Sequence, residues 1–199
     1  MNRVKIYGAG SIGNHLAQAS RTMGWNVDIC DIDPEALKRT KNDIYPSRYG
    51  KWDDKIRLYI VDEAPERIYD FIIIGTPPDT HMYYALRVAA LEKPCCIEKP
   101  LSPSYKDSLT IHDAFKKKDI PLFVAYYRRS LPRFLQIKNW LESKNIGEVR
   151  HISWFLSRTP SDVDLSGAYN WRTDPKIATG GYFDDLASHG LDLFTFLLG

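Results

Sequence analysis

The run Gly8-Ala9-Gly10-Ser11-Ile12-Gly13, which follows the apolar stretch Val4-Lys5-Ile6-Tyr7 without a spacer, restricts the fold of this chain more than any other feature. A helical pattern takes over from about residue 11 to residue 23, with Ile12, Leu16 and Ala19 on one face. Set between a strand and a helix, these glycines have separate uses. Gly8 permits a tight turn, Gly10 lets backbone approach a bound pyrophosphate, and Gly13 lets helix and strand pack closely. The free N–H groups of Ser11, Ile12 and Gly13, together with the positive end of the helix dipole, then face the phosphates.

The β/α alternation continues. The second strand, 26–31, ends in Asp31, whose carboxylate can accept hydrogen bonds from adenosine ribose hydroxyls while repelling a 2′-phosphate; NAD is therefore expected rather than NADP. Asp33 competes for that role, but Asp33-Pro34 reads as a helix cap followed by a first-turn proline. A helix over 34–41 leads into a polar and aromatic stretch, 42–55, to which no role can be given. Strands follow at 56–60 and 68–74. The turn Gly75-Thr76-Pro77-Pro78-Asp79-Thr80-His81 comes next, with Asp79 or Thr80 placed to cap a helix over 81–91. His81 opens that helix on the edge that carries the glycine loop, although a lone histidine is more often structural. A fifth strand, 94–97, delivers Glu98-Lys99-Pro100. A helix over 104–118 and a strand over 121–126 complete a doubly wound parallel sheet in an α/β domain expected to span 1–124.

Residues 125–199 read as the start of a second, α+β domain. Tyr127-Arg128-Arg129 precedes a helix over 132–143. A strand is predicted over 149–157 with Ile152, Trp154 and Leu156 on one face, and a polar loop over 158–176 holds Asn170-Trp171-Arg172. The final helix carries Asp185, His189 and Asp192 at i, i+4 and i+7, hence on one face, with Asp184 off it. An Asp one turn before a His can fix its tautomer and raise its basicity.

Bulk properties exclude some classes of partner. The formal net charge is +2 with both signs interspersed, so neither nucleic acid nor an anionic membrane is expected. The longest apolar runs are far too short to span a bilayer, and the N-terminus runs straight into a strand, so no signal peptide is expected. Three cysteines, Cys30, Cys95 and Cys96, form no metal-ligand spacing and read as core residues of a cytoplasmic protein.

Taken together, the glycine loop, Asp31, Thr76-Pro77-Pro78-Asp79-Thr80-His81, Glu98-Lys99-Pro100, Tyr127-Arg128-Arg129, Trp171-Arg172 and the Gly180-to-Asp192 segment resemble the glucose–fructose oxidoreductase, inositol dehydrogenase and MocA (Gfo/Idh/MocA) family along essentially the whole chain. The resemblance implies a cofactor on Gly8, Gly10, Ser11, Ile12, Gly13, Asp31, Thr76, Pro77, His81 and Glu98, with the Lys-Pro peptide often cis. It implies Lys99, Asp185 and His189 as catalytic positions, the last two also touching substrate, with Arg128 and Arg172 as further substrate contacts. A sugar, cyclitol or nucleotide sugar is the implied substrate, and a homo-oligomer is possible. Two departures stand out. Tyr127 occupies a position where the family often has Asn or His, and family members are longer, their second domain being built mostly beyond this point. A dinucleotide-binding protein without turnover, or a glycosidase using hydride transfer transiently, is the alternative expectation.

Overall fold

In the computed structural model of the chain, residues 2–157, 159–168, 170, 173–175 and 180–199 are described, the side chain of Asp184 excepted. The chain divides into two compact units, Met1–Ala125 and Tyr126–Gly199.

The first unit is a six-stranded sheet in the order β3-β2-β1-β4-β5-β6. The strands are β1 (Arg3–Tyr7), β2 (Asn26–Asp31), β3 (Ile56–Ile60), β4 (Phe71–Ile74), β5 (Cys95–Ile97) and β6 (Leu122–Val124), all paired in parallel. Helices α1 (Ser11–Thr22), α2 (Pro34–Arg39), α3 (Tyr45–Tyr49), α4 (His81–Ala90) and α5 (Tyr105–Lys116) accompany it. Strand alternation divides the core between the two faces. Val4, Ile6, Val27, Ile29 and Ile73 lie in one apolar cluster with Ala17 and Leu37. Tyr7, Cys30, Ile72, Ile74 and Ile97 lie in the other with Tyr84, Val88, Ile111 and Phe115.

That second face also buries charge. Lys5 pairs in register with Asp28 and Asp28 with Arg57, a plus-minus-plus row across three parallel strands. Lys5 and Asp28 are each 1% exposed. The Lys5 ammonium sits 4.8 Å and 5.5 Å from the ring centres of Tyr7 and Tyr69, and Tyr69 Oη donates to Asp28 Oδ2 at 3.0 Å.

Three local expectations need correction in this unit. The helix predicted over 34–41 does not stop there: a π-helical segment, Thr40–Ile44, carries it into α3, with αR backbone at Ile44 and Tyr45 and Pro46 following them. Strand β4 begins at Phe71 rather than at residue 68. Before α4, Pro78–Thr80 makes a 3-10 turn and no side chain caps the helix. Asp33 does cap α2, accepting from Glu35 N at 2.9 Å.

The second unit contains a 3-10 turn at Tyr127–Ser130 and helices α6 (Pro132–Glu142), α7 (Asp162–Ser166) and α8 (Tyr182–Leu198). The strand predicted over 149–157 is not formed; among the described residues of this unit no strand is available to pair with it, and a lone strand leaves its N–H and C=O groups without a ladder. Helix α7, inside the predicted polar loop, is opened by a reciprocal capping box between Ser161 and Asp164. The four hydrogen bonds that Asp164 Oδ atoms receive from Ser161 Oγ, Tyr182 Oη, Ser161 N and Asn170 Nδ2 hold its carboxyl well below the usual carboxylate range. No helix among the described residues is long and apolar enough to cross a membrane.

Candidate active site

The carboxyl ends of the strands meet in one row. Gly8 N donates to Cys30 O, Gly75 N to Tyr7 O, Glu98 N to Ile74 O and Ala125 N to Ile97 O, at 2.8–2.9 Å. These bonds continue the sheet past the last regular residue of each strand, so Asp31, the glycine loop, the Thr76-Pro77 turn and Glu98-Lys99 emerge along one edge. Strand β1 has β2 on one side and β4 on the other, which makes its end the point where chain connections diverge and an open crevice forms.

Each glycine of the loop has a distinct steric reason. Gly8 holds φ +101°, and a Cβ there would meet Gly75 O at 2.8 Å; a Cβ on Gly13 would sit 1.9 Å from Gly8 O. A Cβ on Gly10 would meet nothing within 4 Å, leaving the space that an approaching phosphate needs. Helix α1 has no side-chain cap, and its first regular bond runs from Asn14 N to Gly10 O, so the preceding amides are offered outward.

Two residues that sequence reasoning missed fix this arrangement. Asn14 Nδ2 donates to Ala9 O at 3.2 Å and Gly10 O at 2.9 Å, and also to Thr40 Oγ1 at 3.1 Å. Thr40 Oγ1 in turn donates to Ala9 O. Both are fully buried. The loop's carbonyls are thereby turned into the protein and its amides away from it. A buried polar residue inside the helical pattern, Asn14, was the available signal.

Asp31 Oδ2 accepts from Ala9 N at 2.7 Å and Oδ1 from Asp33 N at 2.9 Å. Each carboxylate oxygen keeps a lone pair for a further donor, as a ribose hydroxyl requires. On the other side of β1, Thr80 Oγ1 donates to Pro77 O at 2.8 Å and lies 2.7 Å from Thr76 Oγ1, from which it can accept, closing the Thr76-Pro77 turn.

His81 is fully buried. Its Nε2 lies 2.8 Å from Thr76 O, and its Nδ1 lies 3.0 Å and 3.3 Å from Pro100 O and Leu101 O. The ring is thus a tie between the Thr76 turn and the segment after Lys99, and any influence on a ligand passes through those backbones. Burial pulls its pKa below the ordinary value, with the three carbonyls opposing. The Lys99–Pro100 peptide is cis, and Lys99 and Glu98 are both half-buried.

In the second unit, α8 carries Asp185 and His189 one turn apart. His189 is 8% exposed, with the rings of Tyr127 and Tyr126 standing edge-on at 5.3 Å and 6.0 Å. Tyr127, the departure from the family pattern, is therefore a wall of the histidine's surroundings. Asp192, on the same helical face, is held by Arg129, whose Nε and Nη2 reach both carboxylate oxygens at 2.5–3.0 Å. That pairing raises the Arg129 pKa and makes Asp192 an anchor of α8. Arg128 is half-buried on the 3-10 turn; Arg172 lies outside the described residues. Gly190 admits the indole of Trp154, which a Cβ would meet at 2.8 Å.

Comparison with known proteins decides the affiliation. Residues 2–126 match the family described as oxidoreductase family, NAD-binding Rossmann fold, and residues 134–199 match the GFO/IDH/MocA C-terminal domain. The chain belongs to the Gfo/Idh/MocA oxidoreductases. An oxidoreductase of Formosa agariphila is 33% identical over 158 residues, 78% of this chain and 48% of that protein. Inositol 2-dehydrogenase of Rhizobium meliloti is 28% identical over 99% of this chain and 55% of its own length. Among solved structures, the WlbA dehydrogenase from Bordetella pertussis in complex with NADH and UDP-GlcNAcA superposes with a TM-score of 0.74 at 25% identity, covering 100% of this chain and 55% of that one. The chain thus spans about half the length of these relatives.

Proposed function

We propose that this chain is the cofactor-binding and proton-transfer part of an NAD-dependent dehydrogenase that interconverts a secondary alcohol and a ketone on a sugar, cyclitol or nucleotide sugar. The observation that carries the reading is the glycine loop, with its carbonyls bound inward by Asn14 and Thr40 and open space at Gly10. Gly8, Gly10, Ser11, Ile12, Gly13, Asp31, Thr76, Pro77 and Glu98 would hold the dinucleotide, with His81 acting through the Thr76 turn. A bound nicotinamide supplies the hydride acceptor. Asp31 favours NAD, since a 2′-phosphate beside its carboxylate would be repelled.

His189 would take the hydroxyl proton as general base, with Asp185 orienting it from one helical turn away. Lys99 would stabilise negative charge developing on the substrate oxygen and join the proton relay. Arg128 and Arg172 would contact the substrate. The levoglucosan and inositol dehydrogenases among the relatives support a polyhydroxylated ring as the substrate class.

The test begins with NADH fluorescence titration and a sugar-dependent change in the NADH absorbance band. Lys99→Ala and His189→Ala should each lower turnover by about a hundredfold or more while NADH binding persists. Full turnover in both variants would remove the assigned roles, and NADH binding without turnover on any sugar or cyclitol would favour a non-catalytic binding protein.

A further inference from the structure

The stretch 42–55, to which the sequence assigned no role, places one cation at the mouth of the phosphate loop. Helix α3 brings Arg48 beside Ser11, the first residue of α1. Arg48 Nη1 donates to Ser11 O and Nη2 to Ser11 Oγ, both at 2.9 Å. Nη1 also lies 3.2 Å from His15 Nε2. With Arg48 donating there, the His15 proton belongs on Nδ1, where it meets Tyr49 Oη. The end of the guanidinium is therefore clamped by three atoms of two neighbours, Ser11 and His15.

Its side is not used. Among the described residues, the Nε–H and the adjacent second Nη2–H find no acceptor, and no carboxylate pairs with Arg48. This side-on fork is the geometry that binds two oxygens of a phosphate. The charge is also placed against the local field: α1 has its positive dipole end at Ser11, where a cation is disfavoured and an anion favoured. A fixed, unpaired guanidinium at a helix N-terminus is an arrangement that a bound anion relieves.

We propose that Arg48 is a cofactor-binding residue, its Nε/Nη2 fork taking a pyrophosphate oxygen of the dinucleotide held on the Gly8–Gly13 loop. This rests on the dinucleotide reading of the loop given above. The pyrophosphate is the ligand group concerned because Arg48 is bound to Ser11 itself, whose amide belongs to the phosphate-facing end of α1. Ribose recognition falls to Asp31, which contacts Ala9 and Asp33.

The experiment uses the whole chain and three ligands: NADH, read by fluorescence, and ADP-ribose and adenosine, read by displacement of NADH. Arg48→Gln should weaken NADH and ADP-ribose by about tenfold each, the scale of a lost charge-assisted pair, and leave adenosine unchanged. Arg48→Lys, which keeps the charge without the fork, should fall between. Unchanged NADH and ADP-ribose affinity in Arg48→Gln would overturn the proposal, as would an equal loss for adenosine, which would mean that Arg48 only shapes the loop. Circular dichroism and thermal melting of Arg48→Gln guard against misfolding; a variant that melts early is replaced by Arg48→Met under the same criteria. If the unsubstituted chain binds no NADH, the dinucleotide reading falls and this proposal with it, an outcome distinct from failure of the variants alone.

Discussion

Gly10 and Gly13 stand three residues apart in one loop and fail for different reasons when substituted. At Gly13 an added methyl carbon would lie 1.9 Å from Gly8 O, a backbone atom that cannot yield without moving the turn. Gly13→Ala is therefore expected to cost about 3 kcal/mol or more of stability, measured by urea unfolding. Gly10 has an ordinary negative φ of −76° and open space around it. Gly10→Ala should change stability by less than about 0.5 kcal/mol yet weaken NADH binding, because the methyl occupies ground the phosphate needs. Loss of fold in the second variant, or an intact fold in the first, would contradict this division. The sequence already distinguished these glycines by spacing, and it separated Asp31 from Asp33 through Pro34. His81 was harder: spacing placed it on the right edge, but only the tertiary structure shows that both ring nitrogens face backbone carbonyls.

Elements with strong periodicity and clear punctuation could be read from the sequence. Helix α1 and the strands of the sheet follow from glycine, proline and apolar runs, because each is stabilised by burial that the pattern itself encodes. Two failures have physical causes. The helical turns over 42–49 read as loop because the stretch is polar and aromatic and contains Pro46, yet Tyr45 is buried against Tyr49 and Trp52, and its hydroxyl donates to Gln18 at 2.6 Å. The 149–157 segment alternates as a strand should, but strand structure is a property of pairs. Hydrogen exchange checks this directly. Amides of 149–157 should exchange within seconds at neutral pH in this chain, while those of β1 and β4, bonded on both sides, should be among the slowest. Protection over 149–157 equal to that of β1 would show that the segment is paired after all.

At the scale of the whole molecule, the sheet encloses titratable groups on its Tyr7–Cys30 face, which no local pattern announced, since Lys5 alternates with Val4 and Ile6 as a solvent-facing residue would. Burial pushes the Cys30 thiol up from 9.0 to about 12 and raises the phenols of Tyr7 and Tyr69. The unfolded chain ionises Cys30 near 9, while the folded chain keeps its proton, so the unfolded state binds fewer protons and stability falls as pH rises from 9 toward 12. Lys5, whose pKa burial lowers from 10.5, opposes this below that value, because there the unfolded state binds more protons. Cys30→Ala should remove up to about 1.4 kcal/mol per pH unit from the alkaline decline. Urea denaturation at pH 8, 9 and 10 measures it; parallel declines in variant and parent would exclude Cys30 as a source.

The inward grip of Asn14 and Thr40 on Ala9 and Gly10 has a consequence for how a ligand is met. A loop already held in its receptive shape has little freedom left to surrender, so capture of the dinucleotide should cost little conformational entropy and require no slow rearrangement. Association would then be governed by encounter, and discrimination among cofactors would fall to how long each one stays.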